Sequence, residues 1–168
     1  MPRRLPERCV PDSIREFRAA SLQRSIDATT LADAGRGTAA IYLWGYCAEM
    51  TLKAAYFRLL GFSRGQNIGI LDLNNAKRAA ADVGVTWPKT QNLHAVSLWA
   101  QLLVSTRASK LNWSYHDQLF GSRVLSSGLS IGMIWRETLR YHKNIAYAHE
   151  LSQVRSASQW LMKNFRLL

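Results

Sequence analysis

Glu49 and Lys53 lie four residues apart in a long apolar segment, with the acidic residue first. On an α-helix this order brings the carboxylate and the ammonium group together on one face. Because the surrounding residues are apolar, both charges should be partly buried, and buried charges need partners. The sequence therefore predicts a structural ion pair, with Arg140 as a further partner of Glu49, in preference to a catalytic carboxylate.

A polar and aromatic segment, SKLNWSYHD at residues 109–117, contains rings that could contact nucleic acid. Bases can stack on Trp113, Tyr115 and His116. Aromatic residues of this kind more commonly anchor a loop on the core, and that alternative stays open. Arg140 and Lys143 add positive charge later in the chain and, with Trp113 and Tyr115, are the predicted nucleic-acid contacts.

Several other chemistries lack their usual residue patterns. The four histidines and two cysteines show no spacing typical of a zinc site. The glycines at positions 61, 65 and 69 lack the Gly-Lys-Ser/Thr ending of a phosphate loop. Neither a Gly-x-Ser-x-Gly segment nor a pair of carboxylates suited to acid–base work is present. The sequence predicts no metal and no cofactor.

The composition indicates a basic, folded protein with an anionic partner. The chain has 168 residues, of which 48% are hydrophobic, and a formal net charge of +11. Its length suits one domain, and its charge favours nucleic acid, a nucleotide or an acidic protein as partner, or simply a basic surface. The two cysteines form no disulfide framework, and neither a secretory signal nor a membrane-spanning run is evident. We expect a cytoplasmic protein.

Helical patterns follow one another along the chain, and no segment shows the alternation of a strand. Residues 1–11, with Arg3, Arg4, Arg8 and Cys9, should form an irregular basic arm before a single domain at 12–168. Ser13 and Glu16 have the spacing of a capping box, and Thr38 should cap the central helix. The predicted helices cover residues 13–34, 38–60, 73–83, 93–108 (opened by Asn92), 117–141 (with a break at Gly128 or Gly132) and 150–168. The predicted fold is an all-α bundle of five or six helices with an antiparallel core.

Three segments together resemble the HEPN domains (higher eukaryotes and prokaryotes nucleotide-binding). The segment GYCAEMTLKAA at residues 45–55 resembles their AAE-x-x-LKA helix, and Asn92-Leu93-His94 resembles a later helix start. The segment WRETLRY at residues 135–141 resembles the close of some HEPN-like proteins, so the resemblance spans roughly residues 15–165. It implies a small helical bundle, usually dimeric. Many HEPN domains are metal-independent ribonucleases of toxin–antitoxin, abortive-infection or CRISPR systems, and others bind nucleotides or proteins without catalysis.

The resemblance also implies a catalytic pair. Ribonuclease members carry an arginine and a histidine with four to six residues between them, and Arg136 and His142, with five between, match this pattern. In that family the histidine transfers a proton and the arginine stabilises phosphate charge. Glu137 departs from the pattern because its carboxylate would repel phosphate. On a regular helix the pair would lie about 120° and about 9 Å apart, so it needs a break near Tyr141 or a second copy; otherwise His142 lies in a helix seam.

The sequence therefore leaves three functions open. The first is a HEPN-like domain that binds RNA or a nucleotide, with ribonuclease activity from Arg136 and His142. The second is a non-catalytic HEPN-like interaction module for a protein partner, such as a nucleotidyltransferase-like or defence-system protein. The third is a DNA-binding regulator. The resemblance favours a homodimer for the first two.

Overall fold

Six α-helices and two 3₁₀-helices form the part of the chain that this computed structural model describes, residues 10–168. The α-helices are α1 (Ile14–Asp33), α2 (Gly37–Leu59), α3 (Ile70–Ala79), α4 (Val96–Lys110), α5 (Tyr115–Ile134) and α6 (Ala148–Lys163). The 3₁₀-helices are Ala81–Val83 and Glu137–Tyr141, and the described residues contain no strand. The predicted all-α bundle is confirmed. Most of the predicted basic arm, including Arg3, Arg4, Arg8 and Cys9, lies outside the described residues.

Helix α2 is the centre of the bundle, since α1, α4 and α6 all pack against it. Its side chains are buried around almost the whole circumference, including Trp44, Leu52 and Phe57. Each large apolar side chain buried in this way stabilises the fold by about 1.5–3 kcal/mol relative to its exposed state. No helix of residues 10–168 has both the length and the hydropathy required to cross a bilayer.

The sequence predicted the N-terminal cap of α1 correctly and that of α2 wrongly. Ser13 caps α1 as predicted, because its Oγ accepts a hydrogen bond from the Glu16 amide at 3.2 Å. Thr38 does not cap α2; its Oγ1 instead accepts hydrogen bonds from the amides of Ile145 and Ala146 at 2.8 and 2.9 Å. The segment before α6 thus packs against the start of α2, and its amides bind the Thr38 hydroxyl that was predicted to cap α2.

Helix α5 does not follow the predicted range of 117–141. It runs unbroken through Gly128, where a Cβ would lie 2.4 Å from the Cβ of Ala100, so this glycine permits close helix packing. The helix ends at Ile134, and Trp135 is extended, with φ −84° and ψ 138°. A 3₁₀-helix, not an α-helix, therefore separates Arg136 from His142.

Three further helix boundaries differ from the prediction. Helix α4 begins at Val96, because the Asn92 carboxamide oxygen accepts a hydrogen bond from the His94 amide, at 2.9 Å, within a turn. Asp72 lies in the first turn of α3, not before it, and its carboxylate accepts a hydrogen bond from the Gly69 amide at 2.8 Å. Helix α6 ends at Lys163, and a turn brings the Leu168 side chain into the core.

Candidate functional site

Glu49 and Lys53 form an ion pair in the middle of the bundle. The Lys53 Nζ lies 2.5 Å from Glu49 Oε1, and the two side chains are only 6% and 4% exposed. The Lys53 ammonium also lies 5.4 Å from the centre of the Trp99 ring. Burying two charges is costly unless each is well paired, so this pair requires the further contacts that its surroundings supply.

His94 is the second partner of Glu49, in place of the predicted Arg140. Its Nδ1 lies 3.0 Å from each carboxylate oxygen of Glu49, and its side chain is 39% exposed. The Arg140 guanidinium instead lies over the Tyr141 ring, 4.7 Å from its centre. His94 thus joins the buried ion pair to the protein surface.

The carboxylate of Glu49 raises the pKa of His94 above its ordinary value. The hydrogen bond that the imidazole donates to Glu49 is the largest cause, burial opposes it, and the charge of Glu49 adds to the rise. The positive charge of Lys53 lowers the pKa, and Glu137 raises it slightly. The protonated form is therefore more favoured than in a free histidine, and in that form Nδ1 donates to the carboxylate while Nε2 is the other donor.

The turn that carries His94 is fixed from two sides. The Asn92 carboxamide nitrogen donates to Glu137 Oε1 at 2.5 Å, which links the turn to the second 3₁₀-helix. The Trp99 indole donates to the Leu93 carbonyl at 2.9 Å, which links it to α4. These contacts hold the imidazole against Glu49 without a regular helix at this position.

The three segments that carry the sequence resemblance meet at this place. Glu49 contacts His94, and Asn92 contacts Glu137. A Cβ on Gly45 would lie 2.0 Å from Cδ1 of Trp135, whose indole donates to the Tyr42 carbonyl at 3.0 Å. Residues 45–55, 92–94 and 135–141 therefore form one packed unit around the ion pair.

His94 borders two clefts. One, of about 550 Å³, is lined by polar groups that include Asn92, Arg136 and Glu137. The other, of about 870 Å³, lies against α1 and α2 and is lined by Arg24, Tyr46, Glu49 and Lys53. A ligand in either cleft can reach the imidazole, and each cleft contributes at least one further cation.

Arg136 and His142 do not share a cleft. The Arg136 guanidinium donates through Nη1 to the carbonyl groups of Gly132 and Trp135, which places it at the end of α5 beside the 550 Å³ cleft. His142 follows the second 3₁₀-helix, is exposed, and lines neither of the two clefts beside His94. It is not in a helix seam. The structure brings Arg136 to the cleft of His94, a histidine that the sequence pattern of the family does not select.

The predicted nucleic-acid contacts lie apart from these clefts. Trp113 is partly buried and packs on α5, where a Cβ on Gly121 would lie 2.5 Å from its ring. Tyr115 is exposed, and its ring meets that of His116 edge to face at 6.2 Å. Arg140 and Lys143 are exposed as well. None of the four lines the two clefts beside His94.

This chain matches no protein-family model, no curated protein and no solved structure. The HEPN-like resemblance therefore stays a prediction that rests on its three sequence segments. Within residues 10–168, no three His, Cys, Asp or Glu side chains are grouped as a metal site requires. The signal that could have found His94 was its place in the segment Asn92-Leu93-His94, but nothing local in the sequence shows that Glu49 is its partner.

Proposed function

We propose that this chain is a HEPN-like RNA-binding domain that cleaves RNA without a metal ion, with His94 as the proton donor and Arg136 as the cation beside the scissile phosphate. The observation that carries the proposal is the pair of 3.0 Å contacts between His94 Nδ1 and the buried carboxylate of Glu49. This assignment replaces His142 with His94 and keeps Arg136 from the sequence pattern.

The Glu49–His94 pair has the arrangement of an acid–base catalyst. A carboxylate that accepts from Nδ1 fixes the orientation of the ring and stabilises its protonated form. In RNA cleavage the 2′-hydroxyl loses its proton to solvent and attacks the adjacent phosphorus, and the bond to the 5′-oxygen breaks. His94 Nε2 would give its proton to that leaving oxygen. The products are a 2′,3′-cyclic phosphate and a 5′-hydroxyl.

Arg136 supports the same chemistry, since it lines the 550 Å³ cleft together with His94. A guanidinium beside the phosphate lowers the energy of the transition state because negative charge builds up on the phosphate oxygens. The contacts of Arg136 with two backbone carbonyls hold it at the end of α5, so little ordering would remain on binding. Glu137, which also lines this cleft, accepts a hydrogen bond from the Asn92 carboxamide through Oε1.

The charge of the chain agrees with an RNA ligand. A formal net charge of +11 attracts polyanions and makes their binding strongly dependent on salt. RNA supplies its own 2′-hydroxyl nucleophile, whereas DNA does not, so the proposed reaction separates the two nucleic acids. A role in a toxin or defence system and a cytoplasmic location stay predictions of the sequence.

The proposal is tested with the full chain in EDTA on a pool of single-stranded RNA and on DNA of the same sequence. We expect cleavage of the RNA alone, with cyclic-phosphate ends. Intact RNA, or equal cleavage of RNA and DNA, would overturn the assignment of ribonuclease activity.

A homodimer is the second part of the proposal, and the exposed face of α5 favours it. The α5 stripe consists of Tyr115, Leu119, Ser122, Ser126, Leu129 and Met133. Its four large members are each more than half exposed. The spacing of four and three residues keeps all six on one face, opposite the core residue Val124. Only two Asp, Glu, Lys or Arg residues occur in this helix of a strongly basic chain.

The order of residues in the α5 stripe suits pairing with a second copy. Its members lie two, five and nine residues on either side of position 124, so an antiparallel copy would place serine on serine and leucine on leucine. A two-fold interface must be self-complementary in this way. Two basic copies would repel each other elsewhere, whereas this face carries almost no charge. We infer that α5 is the dimer interface.

A further inference from the structure

Four arginines lie near one another where α2 ends and the turn after α6 begins, and two of them contact one phenylalanine ring. We call Arg18, Arg58, Arg64 and Arg166 the arginine cluster. The guanidinium carbon of Arg18 lies 3.9 Å from the centre of the Phe165 ring, and that of Arg58 lies 4.9 Å from it. The aromatic ring attracts both cations and holds them near each other.

The backbone around the arginine cluster is tied down by several contacts. The Arg15 amide donates to the Arg64 carbonyl at 2.9 Å, which fastens the segment after α2 to the start of α1. Arg58 Nη2 donates to the Arg166 carbonyl at 3.2 Å, and Arg107 Nη1 donates to the Leu167 carbonyl at 2.5 Å. The turn that carries Phe165 and Arg166 is therefore fixed to α2 and α4.

The charged groups that act on Arg18 are all arginines. Burial is the largest cause that lowers the pKa of Arg18, and the positive charges of Arg58, Arg166 and Arg64 lower it further. Arg18 Nη1 is buried and has no hydrogen-bond partner within residues 10–168. An unpaired buried donor on a cation is destabilising, and an anion with several oxygens would supply the missing acceptor.

We propose that the arginine cluster is a phosphate-binding site, separate from the His94 clefts, that holds a phosphate group of the RNA ligand. The choice of RNA as the source rests on the proposed function, whereas the phosphate site itself rests on the cluster alone. Phosphate suits this cluster because guanidinium groups present paired N–H donors that match its oxygens. None of the four arginines lines either cleft beside His94.

The distance between the two sites makes the proposal specific. Arg58 follows Glu49 by nine residues on α2, which corresponds to about 13 Å along the helix axis. A strand bound at His94 must therefore extend over more than two helical turns to reach the arginine cluster. The cluster would add affinity and register for a longer RNA and would not take part in the cleavage step.

The first experiment compares Arg18→Gln with Arg123→Gln, which removes the same charge from α5. Thermal unfolding is followed with added inorganic phosphate and with sodium chloride of equal ionic strength. Phosphate should raise the melting temperature of the wild type and of Arg123→Gln, but not that of Arg18→Gln. Because this measurement needs neither RNA nor cleavage, its result does not depend on the proposed ribonuclease activity.

The second experiment measures the affinity of both variants for a labelled single-stranded RNA, in a His94→Gln background that slows the proposed cleavage. Arg18→Gln should weaken binding by about tenfold more than Arg123→Gln and should reduce its salt dependence. Loss of the phosphate effect with equal RNA affinities would support a site for free phosphate. Equal behaviour of the two variants in both experiments would overturn the proposal. Arg64→Gln, at an exposed position, repeats the test if Arg18→Gln does not fold.

Discussion

His94 Nδ1 lies 3.0 Å from both carboxylate oxygens of Glu49, although 45 residues separate the two in the sequence. The contact joins the turn before α4 to the centre of α2. It also completes the environment of the buried Lys53, since one carboxylate serves a lysine inside the protein and a histidine at its surface. The structural ion pair and the candidate acid–base group are therefore one unit.

Replacing Glu49 with glutamine should lower the pKa of His94. Glu49 supplies the largest cause that raises it, while Lys53 and burial lower it, so removal of the carboxylate charge leaves the lowering effects in excess. The measurement is a titration of the imidazole nitrogens by NMR. Glu137→Gln is the control and should lower the pKa of His94 by much less, because the charge of Glu137 has the smallest of these effects on it. An equal fall of the His94 pKa in the two variants would contradict the contact between His94 and Glu49.

Glu49→Gln should also destabilise the protein by about 3 kcal/mol, because Lys53 would lose its charged partner while it stays buried. The double variant Glu49→Leu with Lys53→Met should recover much of this loss, since it buries no charge. Urea unfolding at pH 7.5 measures both. Asp27→Asn breaks the exposed pair between Arg24 and Asp27 and should have a far smaller effect. A double variant less stable than Glu49→Gln would contradict the account.

Gly45→Ala should destabilise the protein by about 2 kcal/mol, because the new Cβ would overlap the ring of Trp135. That ring is 2% exposed and is fixed by its hydrogen bond to Tyr42, so it cannot move aside cheaply. Gly65→Ala is the matched control, since nothing lies within 4 Å of a Cβ there and its φ is not positive. Thermal unfolding of the two variants should differ clearly; similar melting temperatures would argue against tight packing at Gly45.

Leu129→Glu should convert the proposed dimer to a monomer, because it would bury an unpaired charge against the partner's Leu119 in the antiparallel arrangement. Sedimentation velocity at several protein concentrations gives the oligomeric state. Leu22→Glu places the same charge on an exposed leucine of α1 and should leave the dimer intact. If the wild type is a monomer at all concentrations, or if Leu22→Glu dissociates the dimer and Leu129→Glu does not, α5 is not the interface.

The sequence predicted the elements of this fold well where local chemistry decides them. The apolar circumference of α2 gave its place at the centre, and the Ser13 cap gave the start of α1. Its errors occur where tertiary contacts override local preference. Thr38 is taken by the segment before α6, and Gly128 serves helix packing instead of a helix break.

The candidate site was predictable only in part. The spacing of Glu49 and Lys53 lies within one helix and could be interpreted from the sequence alone. The contact of Glu49 with His94 depends on a turn that Glu137 and Trp99 hold in place, and no local sequence pattern predicts these contacts. The pairing of Arg136 with His142 assumed that neighbours in sequence share a site, whereas α5 ends at Ile134 and Arg136 lines the cleft beside His94.

The rate of RNA cleavage in EDTA by His94→Gln and by His142→Gln tests the central assignment most directly. The account predicts that His94→Gln lowers the rate about 100-fold or more, as expected for loss of a general acid, while His142→Gln cleaves at the wild-type rate. A wild-type rate in His94→Gln, together with loss of cleavage in His142→Gln, would contradict the account and return the site to the pair Arg136 and His142.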